Sequence, residues 1–252
     1  MIIDLYKDSM LPAKFDAVRG KLFLEDGVNV DEEGVRMFSD MGDLFFNNRG
    51  QADIPLYYMY NGIYFTHHKK LFEEHGLKYE YTMLLPGTVE DEYIKAHGHI
   101  HTAISDPKKG VMEAFEILYG EGCFLLFKEV EQSYEVIIVN VKQGDKFTIP
   151  KEYYHLTINT GKVPFIFGDI ISTDNKGDYG FLKEKQGAPV FVMQDKCGGV
   201  KFKINPRYSK INDILICDVN TVPWEEPLPN QGPLYAAFIL EPEKFEFLSK
   251  PY

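Results

Sequence analysis

Lys95-Ala96-His97-Gly98-His99-Ile100-His101 decides the reading of this chain. Its histidines alternate with smaller or apolar residues. In a β-strand, positions i, i+2 and i+4 share one face, and two neighbouring imidazoles on one face can hold a metal ion. Such a site usually also takes a carboxylate and a further nitrogen. Downstream, Glu113 precedes Gly120 by seven residues. Gly144, Pro150, His155 and Asn159 then form a second set, G-x5-P-x4-H-x3-N.

Together the two sets resemble the paired motifs of the cupin superfamily: H-x-H, a Glu with a later Gly, then a His anchored by Gly and Pro. Composition agrees with a β-rich chain. Of 252 residues, 44% are hydrophobic, with 19 Phe and 16 Tyr, and aromatic residues favour strands. A chain of this size buries about three-quarters of its unfolded surface and needs no staples. The net charge of −11 excludes general nucleic-acid binding, which requires phosphate-neutralising cations. An anionic substrate must therefore be held by local groups. Cys123, Cys197 and Cys217 are scattered and lack a C-x-x-C spacing, which fits a reduced cytoplasmic setting. Cys123, inside the apolar run CFLLF, reads as core packing. No run approaches a membrane span and the start has no long apolar signal region.

Along the chain, Leu22–Leu24 and Val28–Val30 read as a hairpin around Asp26-Gly27. Residues 31–48 combine early acids with helically spaced apolar positions, which predicts a short helix. Leu56–Phe65 reads as a strand. Thr66–Gly76 reads as a short helix with Thr66 as N-cap and Gly76 as stop, its His67, His68 and His75 on a solvated face. Strands follow at Tyr79–Leu85, Tyr93–His101, Glu113–Tyr119, Cys123–Lys128, Tyr134–Val141, Lys146–Ile149, Leu156–Asn159 and Phe165–Ser172. The interval of about ten residues is the rhythm of a barrel or sandwich. Gly187–Met193 pairs with Val200–Ile204. Residues 209–252 add a strand at Ile214–Val219, a Pro-rich link (VPWEEPLPNQGP) and the apolar LYAAFILEPEKFEFL.

A longer ordered set narrows the resemblance. It comprises Val35-Arg36, Ser39-Asp40-Met41, Pro86-Gly87, Gly98-His99-Ile100-His101, Glu113, and Gly120 with Gly122. His155–Asn159, Pro164–Phe167, Asp178-Tyr179-Gly180 and Asn205-Pro206-Arg207-Tyr208 complete it. In these residues the chain resembles the cupin-type glucose-6-phosphate isomerases, small metal-dependent enzymes first associated with archaea. The resemblance implies an all-β fold: a cupin double-stranded β-helix (jelly-roll barrel) with short flanking helices and N- and C-terminal extensions. It divides the chain into an arm (1–34), the cupin domain (35–208) and an extension (209–252) packed on the barrel or at a dimer interface.

The resemblance also implies one divalent metal (Fe, Mn, Ni or Zn) on His99, His101, Glu113 and His155, with Glu113 and His155 as catalytic residues. Thr82 and Gly98 match phosphate positions. Lys95 or His97 are their positive neighbours, and Tyr179 is a sugar contact. Thr82 and Tyr179 read equally well as structural strand residues, and His97 as a plain strand residue. Ala96, Phe115, Ile171 and Gly177 depart from the family pattern, as does a longer His101–Glu113 gap, and they bear on which sugar phosphate is bound. The expected activity is aldose–ketose isomerisation of glucose 6-phosphate and fructose 6-phosphate, in glycolysis and gluconeogenesis. The expected assembly is a homodimer, with no nucleic acid or membrane partner. An Fe(II) cupin oxygenase and a non-catalytic sugar-phosphate-binding cupin are the alternatives. Within the strand, Glu116 lies three positions from Glu113 and is expected to point away from the metal, to solvent or a local ion pair.

Overall fold

The computed structural model describes residues 1–48, 51–225, 228 and 232–249. The N-terminal arm forms a small antiparallel sheet, β1 (Ile2–Asp4), β2 (Ala13–Asp16) and β3 (Lys21–Leu24), with a one-turn helix α1 (Tyr6–Ser9). The barrel begins with β4 (Val28–Met37), β5 (Pro55–Phe65), helix α2 (Lys69–His75) and β6 (Leu77–Leu84). Short strands β7 (Thr88–Val89) and β8 (Glu92–Tyr93) precede the histidine stretch, and β9 (Ile100–Thr102) takes in its end. Then come β10 (Glu113–Tyr119), β11 (Glu121–Val130), β12 (Ser133–Lys142), β13 (Lys146–Ile149), β14 (Tyr154–Ile158) and β15 (Phe165–Ser172). The chain closes with β16 (Lys176–Asp178), α3 (Gly180–Glu184), β17 (Val190–Gln194), β18 (Val200–Ile204), β19 (Ile211–Asp218), α4 (Leu234–Leu240) and α5 (Glu246–Ser249).

A six-stranded sheet in the order β13-β10-β15-β6-β5-β4 faces a four-stranded sheet, β14-β11-β12-β19. Their inner faces share one core. Phe115, Phe147, Phe165 and Phe167 of the first sheet meet Phe124, Leu126, Ile137 and Val139 of the second. The outer face of the six-stranded sheet is also buried. Tyr79, Tyr81, Ala114, Leu118, Ile166 and Ile170 pack with the N-terminal sheet and with Tyr235, Phe238 and Phe245 of the C-terminal segment. Sheets covered on both faces lose simple polar–apolar alternation, and β15 is buried at every position. The Glu113-to-Gly120 spacing has a steric cause. Gly120 has φ +80°, and a Cβ there would lie 2.5 Å from the Pro164 carbonyl oxygen.

Four local expectations are corrected. The segments 22–24 and 28–30 turn at Gly27 but do not pair: β3 joins β2 and β4 joins β5. Residues 31–48 form no α-helix. Asp31–Met37 continue β4, and only two 3-10 turns follow, Phe38–Asp40 and Gly42–Leu44. Pairing with β5 outweighs the local helical pattern, and the acids sit on an edge strand, where charge discourages further pairing. Thr66 does not cap α2; its hydroxyl donates to the Gly27 carbonyl and accepts from Asn29 Nδ2. Tyr93–His101 is not one continuous strand. Isolated bridges at Lys95↔Ile158 and His99↔His155 lie between β8 and β9.

Within the C-terminal extension, LYAAFIL is helix α4 and buries Leu234, Tyr235, Ala237 and Phe238 against the subunit's own sheet, the first of the two expected placements. Parts of the Pro-rich link (226–227, 229–231) and the end of the extension (250–252) lie outside the described residues. Among the described residues no helix is long and apolar enough to cross a membrane.

Candidate metal centre

His99 and His155 are fixed by reciprocal backbone bonds. The His99 N–H donates to the His155 carbonyl at 3.0 Å, and the His155 N–H to the His99 carbonyl at 2.8 Å. His101 lies in β9 opposite Gly177 of β16. Glu113 opens β10, between Ile149 of β13 and Ile171 of β15. The strand period and these pairings turn all four side chains inward to one point.

Their ligand atoms all lie within 4.8 Å of one another. His99 Nε2 is 2.9 Å from His101 Nε2. Glu113 Oε2 is 2.9 Å from His101 Nε2 and 3.3 Å from His155 Nε2. Donors about 2.1 Å from an ion and at right angles to each other lie about 3 Å apart, so the spacing fits a bound metal. Glu113 Oε2 is buried yet makes no hydrogen bond of acceptable geometry, as expected of an oxygen reserved for a ligand. His99 Nδ1 lies 3.1 Å from the His97 carbonyl. That contact fixes the tautomer and leaves Nε2 free to ligate. Burial, then the neighbouring His101 and His155, hold His99 well below the usual imidazole range. Burial pushes the Glu113 carboxyl up, but His101 and His155 outweigh it and hold the group well below the usual carboxylate range.

The four residues form one wall of a cavity of about 190 Å³. Thr82, His97 and Tyr179 line it too. The Tyr179 ring meets His97 edge-on, with centroids 4.6 Å apart. Ala96, Phe115 and Gly177 also face the cavity, whereas Ile171 is buried with Ala103 and Val111.

Lys95 and Gly98 are not among the lining residues. The Lys95 ammonium is buried in an ion pair with Glu92 and donates to the Leu44 carbonyl at 2.7 Å, so it pins the 38–46 turn region to the histidine stretch. Gly98 packs under Leu182 and Leu156. Glu116 does point away from Glu113, but not to solvent. It is 5% exposed and accepts the Leu234 N–H at 2.6 Å.

Several cavity residues escaped the sequence reading: Tyr57, Asn61, Lys78, Glu80 and Asp169. Part of the signal was present. Lys78 and Glu80 precede Thr82 by four and two positions on one strand, so strand alternation puts all three on the same face. An Asp inside the apolar strand FIFGDIIS was the other sign.

Comparison with known proteins points to one family. Residues 35–209 match the family model described as glucose-6-phosphate isomerase (GPI). A glucose-6-phosphate isomerase of Thermococcus gammatolerans is 31% identical over 195 residues, covering 75% of this chain and 95% of that protein. The Pyrococcus furiosus glucose-6-phosphate isomerase is 29% identical, covering 73% of this chain and 97% of that protein. Among solved structures, a cupin 2 conserved barrel domain protein from Rhodopseudomonas palustris overlaps 59% of this chain and 77% of its own, with 16% identity and a TM-score of 0.33. The strand pairing, rather than that partial overlap, carries the fold. From the match over residues 35–209 and these relatives, the chain belongs to the glucose-6-phosphate isomerase family.

Proposed function

We propose that the chain is a metal-dependent aldose–ketose isomerase that interconverts glucose 6-phosphate and fructose 6-phosphate. The observation that carries this reading is the convergence of His99, His101, Glu113 and His155 at the wall of one cavity. Imidazole and carboxylate donors suit Fe(II), Mn(II), Ni(II) or Zn(II), and the bound ion supplies Lewis acidity toward the substrate carbonyl.

The chain's own residues do the remaining work. The reaction moves a proton between C2 and C1, and a base within hydrogen-bond reach contributes about 10² to 10⁴ in rate. Glu113, whose carboxylate lines the cavity, takes that proton and returns it. His155, with Nε2 3.3 Å from Glu113 Oε2, stands beside the carboxylate. Thr82 and His97 hold the phosphate end, His97 as a neutral imidazole rather than a positive neighbour, because burial pushes it down to about 4. Tyr179 closes the wall over His97 and His99, and Phe115 and Phe167 exclude water.

The same reading places the enzyme in the cytoplasm as a homodimer. Helix α4 is used within the subunit, so pairing would need another surface. Sedimentation at micromolar concentration checks it, and a monomer would remove that part of the proposal.

The central test is a coupled assay of glucose 6-phosphate and fructose 6-phosphate interconversion, with chelator and metal add-back. Activity lost on chelation and restored by a divalent ion is the expected result. Oxygen uptake without isomerisation, or sugar-phosphate binding without turnover, would replace this reading with an oxygenase or a binding protein.

A further inference from the structure

The cavity floor carries a row of polar side chains drawn from distant parts of the chain. Asp169 of β15 stands directly opposite Glu80 of β6, and Glu80 directly opposite Asn61 of β5. On its other side Asp169 is opposite Phe115 of β10. All four line the same cavity as the metal ligands. Lys78, one step along β6 on the same face, pairs with Glu80 at 2.7 Å.

This arrangement is costly in an empty protein. Like charges directly opposite across two strands are destabilising. Asp169 is 3% exposed, and its Oδ2 has no hydrogen-bond partner. A buried acceptor without a donor is a standing penalty. One ammonium, Lys78, faces the two carboxylates of this row and also Glu113 nearby. The row therefore aims carboxyl oxygens short of protein partners into the cavity, and the ligand that satisfies them is one rich in hydroxyls, which both donate and accept.

Its position fits. Glu80 is two residues from Thr82 on one strand face, about 7 Å along the strand. The row lies between Thr82 and the Lys78–Glu113 end. A ligand with an anion at Thr82 and its reacting carbons at the metal would carry its intermediate hydroxyls past Glu80 and Asp169.

We infer that Glu80 and Asp169, with Lys78 and Asn61 beside them, form the subsite that binds the chain hydroxyls of an open-chain polyol phosphate and sets substrate specificity. The inference rests on the sugar-phosphate reading above and adds which residues distinguish a long polyhydroxy chain from a short one. Carboxylates accept from two neighbouring hydroxyls at once, Asn61 can donate as well as accept, and Lys78 holds the pair of acids in place.

Equilibrium binding tests this without turnover. Protein loaded with Mn(II) is titrated calorimetrically with glucitol 6-phosphate and, separately, with glycerol 3-phosphate, whose two hydroxyls stay near its phosphate. Wild type is expected to prefer glucitol 6-phosphate. Asp169→Asn and Glu80→Gln are each expected to narrow that preference at least tenfold, while glycerol 3-phosphate affinity stays close to wild type and the melting temperature does not fall. If Asp169→Asn does not fold, Glu80→Gln and Asn61→Ala decide the same ratio. An unchanged ratio in the folded variants overturns the inference and leaves the isomerase reading standing. Failure of wild type to bind either phosphate overturns both, and is seen before any variant is made.

Discussion

Glu113 and Glu116, three residues apart on β10, point to opposite sides of the six-stranded sheet. Glu113 Oε2 lies 2.9 Å from His101 Nε2 inside the barrel. Glu116 Oε2 accepts the Leu234 N–H on the outer face, where the C-terminal helix docks. Two acids in one short strand thus serve two separate purposes, one chemical and one structural.

Turnover per bound metal separates them. Glu113→Gln is expected to lose metal and, once excess ion restores occupancy, still to turn over at least 10²-fold slower, as a lost base predicts. Glu116→Gln keeps both metal and turnover. Equal damage from the two substitutions would mean the register of β10 is misassigned.

Glu116 also makes a pH prediction. Burial raises its carboxyl from 4.5 to about 7, against the Leu234 N–H and Lys146. A raised folded-state value means the contribution is present below about pH 4.5 and is lost as pH climbs through 7. The full span is on the order of 3 kcal/mol. Glu116→Gln keeps an acceptor for Leu234 and removes the charge. Urea unfolding should show the variant more stable than wild type at pH 8 and similar at pH 5, and parallel pH profiles would contradict this origin.

Lys95 is expected to matter for folding and not for substrate. Its ammonium bonds Glu92 and the Leu44 carbonyl and lies 4.6 Å from the Phe45 ring centroid. Lys95→Met leaves Glu92 buried without its counter-charge, which costs about 3–5 kcal/mol. Lys95→Met with Glu92→Gln should recover most of it. Chemical denaturation reads the stability. A large rise in substrate KM with unchanged stability would instead put Lys95 back in the site.

Gly98→Ala tests how tightly the histidine stretch is seated on β14. An added Cβ would lie 2.5 Å from Leu182 Cδ2, 3.1 Å from Leu156 Cβ and 3.2 Å from the His155 carbonyl oxygen. Leu182 can rotate, but the other two neighbours belong to the segment that carries a metal ligand. Overpacking of this kind costs about 1–3 kcal/mol. The stabilisation that Mn(II) adds to a thermal melt should shrink along with the melting temperature. A wild-type metal response would show that the stretch shifts freely.

The sequence by itself determined the four candidate ligands and the β-rich architecture. Those signals are local: the i, i+2 spacing of His99 and His101 marks them as a pair, and glycines such as Gly120, crowded against the Pro164 carbonyl, fix the turns by sterics. Strand ranges such as Glu113–Tyr119 and Phe165–Ser172 were legible for the same reason. Only the tertiary structure decided which strands lie side by side. Asn61, Glu80 and Asp169 meet because β5, β6 and β15 are neighbours, a pairing across more than a hundred residues that no local pattern encodes. Long-range contacts likewise turned residues 31–37 into an edge strand, gave Lys95 the Leu44 carbonyl as a partner, and set Glu116 beneath α4. Alternation gives a side chain its face, but its neighbours on that face come from backbone hydrogen bonding between distant segments.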